Sequence, residues 1–159
     1  MRICLGIDPG LARVGYGAVM ELGSGFFPLS YGCIETKPAM TFTQRLLKIH
    51  NDLQEKIASI RPDFVSVERL FFGKNARTAE YVYQARGVIM LLIAQNNLPV
   101  IELTPNNIKR NLTGSGKSKK HEIQTAIRDI LSLEDIPRPD DTADALAAAV
   151  AGLSLYDGG

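Results

Sequence analysis

The sequence predicts an α/β fold, a mixed five-stranded sheet flanked by helices. Three observations point there. Short apolar runs of strand length recur along the chain, bounded by glycine, proline or an acid. Longer segments repeat apolar residues at steps of three and four, the helical period. After an opening run of strands the two kinds of segment alternate, in the order β-β-β-α-β-α-β-α-α-α. That order favours helices packed on the faces of one sheet.

Arg2 to Asp8 is apolar and ends in Asp-Pro-Gly, a strand followed by a turn. Val14 to Leu22 and Phe26 to Thr36 read as two more strands, with Gly15, Gly17, Gly23 and Gly25 suiting hairpin connections. Thr41 to Ile60 reads as an amphipathic helix. Phe42, Leu46, Ile49, Leu53, Ile57 and Ile60 share a face, Thr41 and Gln44 form a capping box, and Pro62 stops it. Asp63 to Glu68, DFVSVE, is a fourth strand, again ending on an acid.

The loop RLFFGKN follows, then a long helix from Ala76 to Asn96. Its stretch GVIMLLIA is apolar all round, which predicts burial in the core or in a subunit interface. Pro99 to Leu103 is the fifth strand. Thr104 caps a helix with Pro105 at its first position. That helix runs into the loop GSGKS, and another continues to about Leu131. PRPDDTADALAAAVAGLSL closes the chain as an Ala-rich helix starting near Asp140.

The 159 residues, 45% hydrophobic and 22% charged, suit one domain over 1–159 and are too few for two. The opening MRICLGIDPG is not expected to act as a secretory signal, because Asp8 and Pro9 break the apolar stretch. No apolar run reaches the roughly 18–20 residues of a membrane span. Cys4 and Cys33 lie in strand-like stretches and read as reduced thiols of a cytoplasmic protein.

The net charge of +1 identifies no partner, but its distribution is informative. Lys109, Arg110, Lys117, Lys119 and Lys120 lie between Pro105 and His121 with no acid among them. A solvated helix face is the ordinary explanation, and a phosphate-binding patch competes with it. GSGKS, residues 114 to 118, has the ending of a nucleotide-binding P-loop. The motif requires a glycine where Asn111 stands and a strand where PNNIKRNL reads as a helix. Gly114 to Ser118 is therefore expected to be a flexible joint that brings Lys117, Lys119 and Lys120 to a nucleic-acid backbone.

Four acids stand out by position. Asp8 and Glu68 end strands, and Asp141 and Asp144 share a face of the last helix. Each has a plain alternative: Asp8 as a turn former, Glu68 as a strand-end charge, Asp140 and Asp141 as helix N-terminal acids. Asp144 is harder to dismiss. It lies a turn inside a helix of Ala, Leu and Val, and no Lys or Arg follows Arg138. A carboxylate on a buried face needs a counter-charge. With only His50 and His121 in the chain, zinc fits poorly. Oxygen donors suit Mg²⁺ or Mn²⁺, and two such ions about 4 Å apart support in-line phosphodiester cleavage.

GIDPGLARVGYG, VERLFFGKN, QARG and DDTADALAAA follow one another between Met1 and about Leu155. In that order they resemble the RuvC family of Holliday-junction resolvases, bacterial crossover junction endodeoxyribonucleases. The resemblance implies an RNase H-like fold and a homodimer that nicks four-way DNA junctions symmetrically with Mg²⁺, in recombination and DNA repair. It implies 5′-phosphate and 3′-hydroxyl ends, and work beside the branch-migration motor RuvAB. It puts the catalytic, metal-binding acids at Asp8, Glu68, Asp141 and Asp144. Asp8 would bridge two ions, Glu68 hold one and Asp144 the other, with Asp141 supporting; some members carry His where Asp141 stands.

The family's junction-inserting aromatic corresponds to Phe71, with Phe72 beside it. Two adjacent rings with basic neighbours such as Lys74 and Arg77 can stack on splayed bases, although one ring can instead pin the loop to the core, the favoured reading for Phe72. Family lysines match Lys109 and Lys120, and Lys117 and Lys119 belong to the same basic cluster. Two cuts related by a two-fold axis call for a C₂ dimer, and GVIMLLIA is a candidate interface. Two other functions compete: an actin-like ATP-binding module, from the GIDPG turn, and a non-catalytic DNA-binding scaffold.

Overall fold

The computed structural model describes residues 1–70 and 76–158, without the side chains of 76–78. Five strands form one mixed sheet: β1 (Arg2–Asp8), β2 (Arg13–Leu22), β3 (Gly25–Glu35), β4 (Phe64–Glu68) and β5 (Val100–Leu103). Their spatial order is β3-β2-β1-β4-β5. The first three form an antiparallel meander, and β4 and β5 join β1 in parallel. The helices are α1 (Phe42–Ile60), α2 (Ala76–Gln95), α3 (Pro105–Thr113), α4 (Lys120–Ile130) and α5 (Asp140–Leu155). This is the α/β architecture expected from the sequence, with element boundaries displaced by a residue or so.

Strand alternation divides the core in two. Leu5 and Ile7 of β1, with Val65 and Val67 of β4, pack against Ile49, Leu53 and Ile57 of α1 and Ile89, Leu92 and Ile93 of α2. Cys4 and Phe64 face the other way, toward α3, α4 and α5. The helix starts follow the predicted capping chemistry. Thr41 with Gln44 and Thr104 with Asn107 each close a reciprocal capping box, and Pro105 sits in the first turn of α3.

The Ala-rich composition of α5 has a packing cause. A Cβ on Gly6 would lie 1.9 Å from the carbonyl oxygen of Ala145, and one on Gly15 would lie 2.0 Å from that of Asp141. The helix backbone thus rests directly on the backbones of β1 and β2. Small residues on both surfaces permit that approach, and the contact sets the height of α5 above the sheet. At the far end of the helix, the Arg2 guanidinium donates to the carbonyls of Leu153 and Tyr156, both at 2.8 Å. It also pairs with Glu21 at 2.7 Å. Two carbonyls at the helix end gain donors in this way, although no basic residue lies in its last turn.

GVIMLLIA sends Ile89, Leu92 and Ile93 into the core, while Leu91 stays 57% exposed in the single chain. One expectation needs correction. The residues of GSGKS are tied down rather than forming an open joint. Gly114 caps α3 in the left-handed conformation, with φ of 81°. Ser118 is buried, its hydroxyl bonded to the hydroxyl of Thr113 and donating to the carbonyl of Ser115. A Cβ on Gly116 would lie 2.6 Å from Oδ1 of Asn106, so the turn packs against the start of α3. Preceded by α3, it lacks the strand that a P-loop requires.

Candidate active site

β1 and β4 are adjacent and parallel, with Ile7 paired to Val67. Their last residues, Asp8 and Glu68, therefore emerge side by side at one edge of the sheet. Open α/β sheets gather ligand-binding residues at the carboxyl ends of such strands. Both acids lie on the α5 face by alternation. Gly6, two residues before Asp8, touches Ala145 and Ala149 of α5, and Ser66, two before Glu68, touches Gly152.

The same helix brings the other two acids. Asp8 is opposite Gly15 in the hairpin, and Gly15 carries the first turn of α5. Asp141 and Asp144 are one turn apart and reach the same edge. The N-terminal end of α5, positive by its backbone dipole, faces the cluster. The sequence-predicted carboxylates Asp8, Glu68, Asp141 and Asp144 are thus brought together.

Their electrostatics reflect crowding. Asp8 is pushed up to about 8, first by burial and then by the charges of Asp144, Glu68 and Asp141; its carboxyl also hydrogen-bonds Asp141. Glu68 is raised by burial and by Asp144, with Lys109 opposing. Asp144 is raised by burial, with Lys120 opposing and Asp141 and Asp140 reinforcing. Carboxylates held this close resist full ionisation unless positive charge joins them.

Asp140 stands apart. Its Oδ2 lies 2.7 Å from Nζ of Lys120 and its Oδ1 accepts from Gln124 at 3.3 Å. The Lys120 hydrogen bond lowers the pKa of Asp140, which is exposed and turned off the cluster. A cleft of about 260 Å³ opens from the acids between β4 and the helices α3 to α5. Glu68 and Asp144 line it together with Lys109, Lys120, Ile108 and Ala147. The two lysines reach it from successive helices joined by the tied-down turn. Lys117 and Lys119 are exposed and do not line this cleft. Phe71, Phe72 and Lys74 lie outside the described residues, as does the side chain of Arg77.

Sequence reasoning did not single out Arg13, whose Nη1 lies 3.8 Å from Oδ2 of Asp141. It opens β2, and the hairpin register sets it beside the turn that follows Asp8. Pairing the Asp8 and Gly15 ends of that hairpin in the sequence would have drawn attention to it.

The donor set fits hard divalent cations: clustered carboxylate oxygens, all four acids half-buried, at one end of the sheet. Among the described residues no three such groups form a ready-made cage.

The sequence model for crossover junction endodeoxyribonuclease RuvC matches residues 4–152. A protein of that description from Desulforamulus reducens is 46% identical over 148 residues, covering 93% of this chain and 91% of the relative. Another from Treponema denticola is 44% identical over 160 residues, covering 100% of this chain and 90% of the relative. The solved RuvC of Thermus thermophilus in complex with Holliday junction substrate superposes with a TM-score of 0.92 at 32% identity, covering 96% of this chain and 93% of that one. The yeast mitochondrial Holliday junction resolvase Ydc2, 15% identical with a TM-score of 0.64, shares the fold. The match along nearly the whole chain, in sequence and in fold, places this protein in the RuvC family of crossover junction endodeoxyribonucleases.

Proposed function

We propose that the chain nicks four-way DNA junctions at Asp8, Glu68, Asp141 and Asp144, cutting two strands symmetrically as a homodimer. The observation that carries this reading is the convergence of four carboxylates at the carboxyl ends of β1 and β4 and the start of α5, with Asp8 held up to about 8 by burial and by its acidic neighbours. The family is one of metal-dependent nucleases, and a carboxylate cluster short of positive charge is what such a metal site requires. Asp8, Glu68 and Asp144 would hold Mg²⁺, with Mn²⁺ as a substitute and Asp141 in support. Two bound ions would supply an activated water and charge stabilisation at the leaving oxygen.

The chain's own groups do the rest. The pairing of β1 with β4 sets the half-buried Asp8 and Glu68 side by side at the end of the sheet. Lys109 and Lys120 face the cleft beside them and are placed to hold phosphate oxygens. The hydrogen-bonded turn between α3 and α4 holds those lysines in relation to each other. Phe71 is assigned to junction stacking, with Lys74 and Arg77 as basic neighbours. Lys117 and Lys119 extend the positive surface outward. The products are a 5′-phosphate and a 3′-hydroxyl.

The homodimer follows from the two-fold symmetry of a paired cut and from the outward stripe of α2 around Leu91. Action beside the RuvAB motor and in the bacterial cytoplasm follows from the family. No helix among the described residues is long and apolar enough to cross a membrane.

Asp8→Asn tests the site. Nicking of a synthetic four-way junction in Mg²⁺ should fall by more than about 100-fold, since even outer partners of metal ligands register 10–100-fold. Junction binding should survive. Nicking at the wild-type rate by this variant would remove the carboxylate cluster from the mechanism.

A further inference from the structure

A second opening leaves the acidic cluster on the side opposite Lys109 and Lys120. Its volume is about 510 Å³, and its wall includes Leu11, Arg13, Arg45, Tyr81, Val82 and Asp141. Acids of the cluster line both openings: Glu68 and Asp144 one, Asp141 the other. Across the sheet edge the order is Arg13 on β2, Asp8 on β1 and Glu68 on β4, with α3 following β5. Positive groups therefore flank the carboxylates on both sides.

The two arginines are held differently. The Arg13 guanidinium lies 3.8 Å from Asp141 and 3.9 Å from Glu35, and its side chain is 52% exposed. Both separations exceed hydrogen-bond length, so neither acid fixes it. Arg45 is preset: its Nε donates to Oγ1 of Thr36 at 2.8 Å, and the buried Thr36 hydroxyl donates to the carbonyl of Leu11 at 2.6 Å. Among the described residues no carboxylate pairs with Arg45. An arginine anchored through Nε keeps both terminal amino groups for a ligand, and its planar fork matches two phosphate oxygens. Tyr81, its ring 5.1 Å from that of Phe42, supplies an apolar wall suited to deoxyribose.

We propose that this groove is a second phosphate-binding subsite, in which Arg13 and Arg45 hold backbone phosphates of the cut strand on the side of the scissile bond away from Lys109 and Lys120. The strand crosses the sheet edge from β2 toward α3, over the acids. The inference rests on the junction-endonuclease reading. Engagement of a phosphate by Arg13 exchanges its two long ion pairs for a hydrogen-bonded one and frees Asp141.

Junction binding in EDTA, followed by fluorescence anisotropy over a salt series, tests the subsite. Arg13→Gln and Arg45→Gln should each bind about tenfold more weakly at low salt. Each should also make the plot of log affinity against log salt shallower by about one phosphate contact. Arg45→Lys keeps the charge and should keep the slope. Arg13→Gln carries the test if loss of the Thr36 bond lowers the melting temperature of Arg45→Gln. Neutral methylphosphonate links walked along the cut strand add a readout that misfolding would not move. At one phosphate the link should erase the difference between wild type and Arg13→Gln. An unchanged slope in both glutamine variants, with Lys109→Gln still reducing it, overturns the subsite and leaves the nuclease standing. A wild-type chain that nicks no junction in Mg²⁺ overturns the endonuclease reading, and the subsite with it.

Discussion

Asp8 shows how one residue couples stability to chemistry. Its folded-state pKa of about 8 stands far above the roughly 3.9 of an unfolded aspartate. The folded chain thus binds a proton that the unfolded chain has released between those values. Asp8 contributes stability that is fully present below about pH 4 and lost as pH rises through about 8. Raised Glu68 and Asp144 act in the same direction. Thermal melts in EDTA should fall between pH 5 and pH 8.5, and Asp8→Asn should flatten that fall. A melting temperature rising over this range in wild type would contradict the crowding of the acids. Addition of Mg²⁺ at high pH should restore much of the loss, because it binds the folded cluster alone.

At the scale of elements, α5 decides whether the acids meet. The helix rests on Gly6 and Gly15, and its first turn delivers Asp141 and Asp144. Gly6→Ala would drive a methyl to 1.9 Å from the carbonyl of Ala145, a backbone atom that cannot swing aside. The cost should be about 3 kcal/mol or more in urea unfolding, the upper range for overpacking, with nicking impaired in whatever remains folded. α3 gives a milder case. Thr104 accepts from the backbone of Asn107, and Thr104→Ala should cost about 1 kcal/mol. The helix that carries Lys109 would fray at its start, so nicking should fall more than stability.

Over the whole molecule, α2 presents an outward stripe that this fold does not cover. Leu91 is 57% exposed, and a Cβ on Gly87 would meet nothing within 4 Å. In an isolated chain Gly87→Ala should stabilise α2 by roughly 0.5–1 kcal/mol, the ordinary gain from removing a mid-helix glycine. In the proposed homodimer the same methyl would meet the partner. Sedimentation equilibrium should then show weaker association for Gly87→Ala despite a firmer helix. Leu91→Glu should yield monomers and abolish the paired cut. Unchanged association in both variants would move the dimer interface elsewhere.

The elements were legible because they follow from local physics. The capping boxes at Thr41 and Thr104, the period of α1 and the glycine-bounded strands act within a few residues of themselves. The four acids were legible as candidates because Asp8 and Glu68 end apolar strands and Asp144 interrupts an apolar helix. Resemblance to a family supplied the link among them. Other features depended on residues distant in sequence. Helical spacing put Asp141 on the face of Asp144, but the lysine that draws Asp140 off comes from another helix. The same holds for GSGKS, whose glycines suggest freedom while Ser118 and Asn106 tie the turn down. Arg13 joins the site only through the β1–β2 register, and Arg45 gains its orientation from Thr36, nine residues away. The sequence by itself determined the strands, the helices and the acids available to a metal site. Tertiary packing alone decided which charges share a cleft, because long-range electrostatics is set by distances that no local rule contains.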